Sequence, residues 1–422
     1  MYSQTLVDRT RAALEATFAD RLPHGLLDIP PEDIAGWRTR LSDVFDASFT
    51  NQQRALTPEE LYFVFSERTR SRIDYAYWAE RYSTINIDAS TIGPLYPLWE
   101  SQKLILAEIG RIQLERTESN YPDGVLIDIL KARQLGASTL CSSILCHRTT
   151  THPHTFGLLA SDVPDNSAFL YDMYERQLDH LPWWMKPTIV ERVKNDEIVY
   201  DTGSRLFVGA SKSTRGADKL KRDSIEGKKG QLGRGRTIAV GHLSEIATWT
   251  NPHQIDSSFL PTVPYSPVVF VAKESTAQGW GPRNWWYQDW QLAKAGKSRT
   301  RAIFIPWYAE PTKYRLPAPL SWSPADETLV HARRAEEFGP RWMHRSVSLT
   351  RDQLYWYEQA RSVADEKDVL GDFLQEFPAD DEEAFQMAGH SIFTVKTIER
   401  IKAQSRPLCG MVEISPNRQM GV

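Results

Sequence analysis

The sequence predicts an α/β protein in which a mainly parallel central sheet is flanked by helices, at 91–320, between a helical extension at 1–90 and a helical lid or linker at 321–422. Three observations predict it. Through the middle of the chain, short apolar runs alternate with stretches of helical period, the pattern of a sheet covered on both faces. The two ends carry helical spacing instead, in LVDRTRAALEATF and LYFVFSERTRSRIDYAYWAERY at one end and DQLYWYEQARSVADEKDVLGDFLQEF at the other. Finally, 422 residues with 41% apolar and 11% aromatic content supply ample core and exclude wholesale disorder.

The elements follow in order. Pro30-Pro31 interrupts the leading helices. VLIDILKA is a short buried-strand run that stops at a Gly-containing turn, and STLCSSILCHRTTT continues as a helix. TFGLLAS is a second such run, followed by the helix-like NSAFLYDMYERQLDHL. EIVYDTG, RLFVGAS, RTIAVGHLSE and SPVVFVAKES are further strand candidates.

Charge excludes some classes of function. Fifty basic against fifty-four acidic residues give −4, so the chain is no global polycation for nucleic acid or membrane. No apolar run approaches the ~18 residues of a membrane span, and the N-terminus lacks the apolar core of a signal peptide. Three cysteines, Cys141, Cys146 and Cys409, are too few for a disulfide framework and fit a reducing cytoplasm. Locally the balance is uneven. Residues 212–236 hold nine Lys/Arg against three Asp/Glu with five glycines, while 364–385 hold nine acids and one lysine.

Lys131-Ala132-Arg133-Gln134-Leu135-Gly136-Ala137-Ser138-Thr139 lies between a strand pattern and a helix pattern, where unsatisfied amides at a helix N-terminus can cradle phosphates. The standard phosphate loop is G-x-x-x-x-G-K-[ST]. Aligned on Gly136, Lys131 replaces the first glycine, Ala137 replaces the lysine, and Ser138 stands at the Mg²⁺-binding hydroxyl. On residues alone the segment is either a variant phosphate loop, with Lys131 folding back over the phosphates, or a plain strand–helix turn. TIAVGHLSE ends a strand in Glu245, which suits either a base that orients water beside such a loop or an ordinary helix cap. VVFVAKESTAQG is a further strand ending in small polar residues.

In this order and spacing these segments resemble the large terminase subunit of tailed bacteriophages, the ATP-driven motor that packages double-stranded DNA into procapsids. PLWESQ resembles the adenine-contacting motif through Gln102, KARQLGAST the family's variant loop, HLSEIATW its acidic strand, and ESTAQG its coupling motif. PWY at 306–308 and QEFPADDEEAF at 375–385 resemble the segments that close the ATPase half. The resemblance implies a P-loop NTPase core, RecA-like and of the additional-strand, catalytic-glutamate kind, binding ATP and Mg²⁺. Lys131 and the loop through Thr139 would hold the phosphates, Ser138 and, through water, Glu245 the Mg²⁺. Glu245 would activate water, Arg133 would stabilise the transition state, and Ser275, Thr276 and Ala277 would couple hydrolysis to movement. Implied partners are double-stranded DNA, the portal protein, the small terminase subunit and further copies in a ring of five, in the host cytoplasm and transiently at the portal vertex, without a membrane.

There are departures. Ser244 stands where many P-loop ATPases carry a Mg²⁺-supporting Asp. No strand-rich stretch with scattered acids follows QEFPADDEEAF, so the nuclease domain usual in the family is not expected here. Two other classes stay open: a helicase-like translocase, which would show tandem core domains, and a non-hydrolysing module that binds portal or small subunit.

Lys212, Arg215, Lys219, Lys221, Arg222, Lys228 and Lys229 form either a solvated loop or a phosphate-tracking surface, since lysine and arginine contacts to the backbone give DNA affinity without base readout. Arg133 has a salt bridge to the 240s strand as its plainer alternative. Asp380-Asp381-Glu382-Glu383 reads as a helix start rather than a two-metal site. Cys141, Cys146, His147, His152 and His154 lack a zinc spacing, and the aromatics at 284–290 read as core rather than a base-stacking surface.

Overall fold

The computed structural model describes residues 34–46, 48, 51–87, 91–119, 123–193, 196–211, 236–279 and 284–386. Helices α1 (Ile34–Arg40), α2 (Pro58–Ile73) and α3 (Tyr75–Tyr82) lead into a small hairpin, β1 (Thr84–Asn86) with β2 (Ile92–Pro94), and then α4 (Glu100–Glu118). The core continues as β3 (Val125–Lys131), α5 (Ala137–Thr151), β4 (Phe156–Ser161), α6 (Pro164–His180), β5 (Ile189–Val193), β6 (Glu197–Tyr200), β7 (Arg205–Ala210) and β8 (Val240–Ser244). It ends with β9 (Phe270–Ser275), α7 (Trp285–Lys294) and β10 (Arg301–Ile305), after which come α8 (Asp326–Met343), α9 (Arg351–Glu366), α10 (Leu370–Glu376) and α11 (Asp381–Gln386). The leading LVDRTRAALEATF pattern lies outside the described residues, as does the basic stretch with Lys212, Arg215, Lys219, Lys221, Arg222, Lys228 and Lys229.

The main sheet has eight strands in the order β10-β3-β9-β8-β4-β7-β6-β5. β10 through β7 run parallel, as the alternation of strands and helices predicts. β6 and β5 instead extend it antiparallel. The reason is the connection length: four residues, with Gly203 at φ 77°, join β6 to β7, and so short a link cannot make a parallel crossover.

The period of two along each strand sorts the core onto two faces. Val125, Ile127 and Ile129 of β3 join Val240, Phe270 and Ala272 in one apolar cluster, whereas Leu126, Leu130, Leu243 and Val271 join another. The first cluster runs without a break from Trp37 and Phe63 at one end of the chain to Phe373 and Ala379 at the other, so the described parts of the helical ends share the core of the sheet. Trp285, Trp286 and Trp290 of α7 are buried in the second cluster, as the core reading of that aromatic run expected.

α5, directly after the loop, is buried on nearly every side. Its outer face meets the helical extension: Tyr75 donates to Ser143 Oγ at 3.0 Å, and His147 Nε2 lies 2.6 Å from the Ser71 carbonyl. Cys141 and Cys146 are packed inside the same helix. Asp380 caps α11, its Oδ1 accepting from the amides of Glu382 and Glu383 at 2.8 and 2.9 Å, which is the helix start expected of that acidic run. No helix among the described residues is long and apolar enough to cross a membrane.

Two buried charges on the second face pin β3, β9 and α7 together. Lys273 pairs with Asp128 at 3.0 Å and also with Asp289. Burial pushes the Asp128 carboxyl well up, against the pull of Lys273. Removing one member of such a set strands the others without a partner, so Lys273→Met should cost about 3–5 kcal/mol, measured by urea unfolding.

His147 responds to pH. Burial, with Arg148 and His152 adding to it, holds its imidazole well below the ordinary range. Below pH ~6.5 the unfolded chain therefore takes up a proton that the folded chain refuses, and stability falls as pH drops, by up to about 1.4 kcal/mol per pH unit for this group. Melting curves between pH 7 and pH 5 should show the decline, and His147→Gln should reduce it, the remainder coming from His152, whose pKa burial lowers to about 3.

Candidate active site

The site lies at the C-terminal edge of the parallel strands, where α/β sheets bind ligands. Three neighbouring strands place polar residues there on one face. Lys131 follows Val125, Ile127 and Ile129 in phase, Glu274 follows Phe270 and Ala272, and His242 and Ser244 follow Val240. Register brings them together: Glu274 lies opposite Ile129 of β3 on one side and Ser244 of β8 on the other. The Lys131 ammonium is 3.0 Å from Glu274 Oε2 and 3.2 Å from Glu245 Oε1.

Glu245 is the residue after β8, and its left-handed conformation (φ 50°, ψ 42°) ends the strand. Its carboxylate thereby lies against Lys131, on the face opposite to the one plain alternation would give it. Such a conformation is costly for a residue other than glycine and persists only when its surroundings hold it. Here Trp249 Nε1 donates to the Ser244 carbonyl at 3.0 Å, and Thr248 donates to the Glu245 carbonyl at 2.8 Å.

Electrostatics separate the two carboxylates. Burial would raise Glu274, but the Lys131 ammonium and hydrogen bonds from His242 and Ser244 hold it well below the usual carboxylate range. Burial raises Glu245, and the neighbouring charges of Glu274 and Asp162 add to it against the pull of Lys131. Lys131 is raised in spite of its own burial, because two carboxylates face it.

The loop itself is held from outside. Four successive carbonyls each accept from a side chain: Arg133 from Tyr314 at 2.6 Å, Gln134 from Lys313, Leu135 from Ser101 at 2.8 Å, and Gly136 from Gln102 at 3.2 Å. In a trans peptide the following N–H points away from the carbonyl, so these contacts turn the amides of 134–137 to the other side. Among the described residues the amides of Gln134 and of Gly136 to Thr139 have no acceptor, and that of Leu135 closes a turn onto the Ala132 carbonyl. Free amides beside the positive end of the α5 dipole suit an anion. The amides of Ala132 and Arg133 are not among them, since they donate to Ile305 and Glu376. Ala137 is buried, while Ser138 and Thr139 are half-buried in the first turn of α5.

Several sequence expectations change in detail. Gln102 is buried and both ends of its amide are committed, one accepting from the Trp99 N–H at 3.1 Å and the other donating to Gly136, so here it shapes the loop rather than presenting itself to a base. Arg133 pairs with Glu376 of α10 at 3.0 Å, not with the 240s strand. Ser244 donates to Glu274 at 2.6 Å. Ser275, Thr276 and Ala277 are buried at the end of β9, and Ser275 Oγ accepts from the Ala247 amide at 3.3 Å, touching the turn that follows Glu245. Glu274, Lys313, Tyr314 and Glu376 were not singled out from sequence. A Lys-Glu pair at the end of an otherwise apolar strand was the signal for Glu274.

Gly136 (φ 72°) is the one glycine the loop requires, because a Cβ there would sit 2.7 Å from Gln102 Nε2. Gly136→Ala should cost at least ~1–2 kcal/mol for the left-handed conformation alone. Adding Gln102→Ala should relieve the clash but not that backbone strain, which a double-mutant cycle in urea resolves.

No protein-family model matches this chain, and no curated protein matches it. Among solved structures, it is similar to the ATPase domain of the large terminase from a Thermus phage, at 14% identity and TM-score 0.36, over 64% of this chain and 92% of that one. It is also similar to the large terminase of a thermophilic bacteriophage, at 12% identity and TM-score 0.35, over 60% of this chain and 53% of that one. At such distances, what the site does has to be read from its own side chains.

Proposed function

We propose that this chain is the ATP-hydrolysing motor of viral double-stranded DNA packaging, of the terminase large-subunit type, on a RecA-like P-loop core. The observation that carries the reading is the meeting of Lys131 with Glu245 beside unsatisfied loop amides. The strand order supports the additional-strand kind of core, because β9 lies between the loop strand β3 and the acid strand β8.

The chemistry follows from these groups. The free amides of Gln134 and of 136–139 take the phosphate oxygens of ATP, and Lys131 leaves its two carboxylates to reach the β- and γ-phosphates. Glu245, freed of the ammonium, accepts from a water and orients it for in-line attack. The residues fit Mg²⁺: two carboxylates already converge on one cation, the Lys131 ammonium, and Ser138 offers a hydroxyl in the adjacent helical turn. Ser138 would bind the ion and Glu245 would hold it through water, and the ion would supply positive charge to the phosphates. Arg133 moves from Glu376 onto the transferring phosphoryl group. Ser275, next to the turn after Glu245, passes the change to β9, with Thr276 and Ala277 beyond it. The same reading assigns the grip on DNA to the basic stretch at 212–229. It makes portal protein, small subunit and further copies in a ring of five the partners, in the host cytoplasm at the portal vertex.

Steady-state ATP hydrolysis with and without linear double-stranded DNA tests this. Glu245→Gln should lower turnover by about 10²-fold or more while nucleotide binding persists, and DNA should stimulate the unsubstituted chain. Turnover retained in Glu245→Gln would sink the assignment. Because Glu245 acts as its carboxylate and its pKa is raised, turnover should fall with acidification, with an acid limb above the ordinary glutamate value of about 4.3. The pH profile of kcat/KM, which reports groups of the free enzyme, reads that limb.

A further inference from the structure

We propose that Glu274 supplies the second carboxylate of the Mg²⁺ site, taking the place of the acid missing at Ser244; the inference rests on the ATPase reading above. The residue before the catalytic glutamate is here a serine, whose hydroxyl is too weak a donor to stand in for a carboxylate. In register with Ser244, one strand over and on the same sheet face, stands Glu274. Its longer side chain spans part of the ~4.8 Å between neighbouring strands. Ser244 Oγ donates to Glu274 Oε1 at 2.6 Å, and His242 Nε2 lies 3.3 Å from the same oxygen. Those two contacts fix the carboxylate's orientation in the way that outer partners fix metal-binding side chains. The other oxygen, Oε2, turns to the loop, where the Lys131 ammonium faces it at 3.0 Å.

Charge balance gives the same assignment. Glu274 is fully buried, and its described cationic partner at the mouth of the site is Lys131. Once that ammonium moves onto the phosphates, a buried carboxylate is left without its counter-ion unless another cation arrives. Mg²⁺ carried in with ATP is that cation. The ammonium thus occupies, before nucleotide binds, the place between Glu245 and Glu274 that a hydrated divalent ion later takes. Ser244 becomes the hydrogen-bonding support of the relocated acid rather than a weak substitute for a lost one.

The test uses Mn²⁺ as an electron paramagnetic resonance probe, titrated into the full chain with a non-hydrolysable ATP analogue. Glu274→Gln should weaken Mn²⁺ binding to the protein–nucleotide complex by about 10–100-fold without weakening affinity for the analogue in EDTA, where the glutamine leaves no buried charge behind when Lys131 moves. The exchange variant Ser244→Asp with Glu274→Ser, which returns the acid to β8, should recover Mn²⁺ binding. Unchanged Mn²⁺ affinity in Glu274→Gln would overturn the proposal. So would an equal loss of analogue affinity with and without metal, since Glu274 would then act only on Lys131. Should Glu274→Gln fail to fold, Glu274→Asp keeps the charge opposite Lys131 while withdrawing the carboxylate. It should still weaken Mn²⁺ binding selectively, and wild-type Mn²⁺ affinity there would overturn the proposal. If the unsubstituted chain binds no analogue in either buffer, the ATPase reading itself falls, an outcome distinct from each of these.

Discussion

The Lys131 ammonium held between Glu245 and Glu274 is the contact on which the rest of the site depends. It exists only because β3, β9 and β8 are neighbours in register, so that three strands deliver polar ends on one face at one height. A slip of one residue in any of them would send its polar end to the opposite face. Buried charges are costly unless paired and hydrogen-bonded, and each one here is. Glu274 receives Ser244 and His242 as well as Lys131. On the other face of the same two strands, Asp128 and Lys273 form a second buried ion pair, without the added hydrogen bonds that Glu274 receives. Because Lys273 and Glu274 are adjacent and point to opposite faces, β9 is tied to β3 by ion pairs above and below the sheet. Those ties resist the register slip that would dismantle the site.

Much of this was legible in the sequence. The apolar runs ending at Lys131, Ser161, Ala210, Ser244 and Ser275 all became strands, because a strand buried on both faces leaves a compact apolar signature. The loop between β3 and α5 stood out through Gly136 and its position. Less legible were β5, whose residues are mostly exposed and mix charge with valine, and the antiparallel sense of β6. The partnership of Glu274 with Ser244 was illegible for a different reason. It depends on β9 being inserted between β3 and β8, and strand order is a tertiary fact that neither period nor composition encodes. Arg133 illustrates the same limit, since its partner Glu376 is distant in sequence.

The loop shows why the flanking helices belong to the site rather than to its packaging. Four loop carbonyls are fixed by residues from two separate segments: Ser101 and Gln102 at the start of α4, and Lys313 and Tyr314 beyond β10. A third segment, α10, takes the Arg133 amide and its guanidinium through Glu376. Loop amides aimed at one point are useful only if they are held there before the ligand arrives, because preorganised dipoles need no reorganisation during reaction. Here the holding groups come from before and after the sheet, so neither α4 nor the lid helices can shift without turning the amides.

The converse also holds, and it gives the proposed motor a route from chemistry to movement. Arg133 cannot pair with Glu376 and with a phosphoryl group at once. Burial raises the Glu376 carboxyl, and Arg133 offsets that, so losing the guanidinium makes the charged form of Glu376 less favourable where it stands. Two remedies are open to a half-buried acid in that position: take up a proton or move towards water. In the proposed motor the second would shift α10 relative to α11, whose start Tyr308 and Arg334 hold at Ala379 and Asp380. On that reading, Arg133 changing partner would link the state of the phosphates to α10.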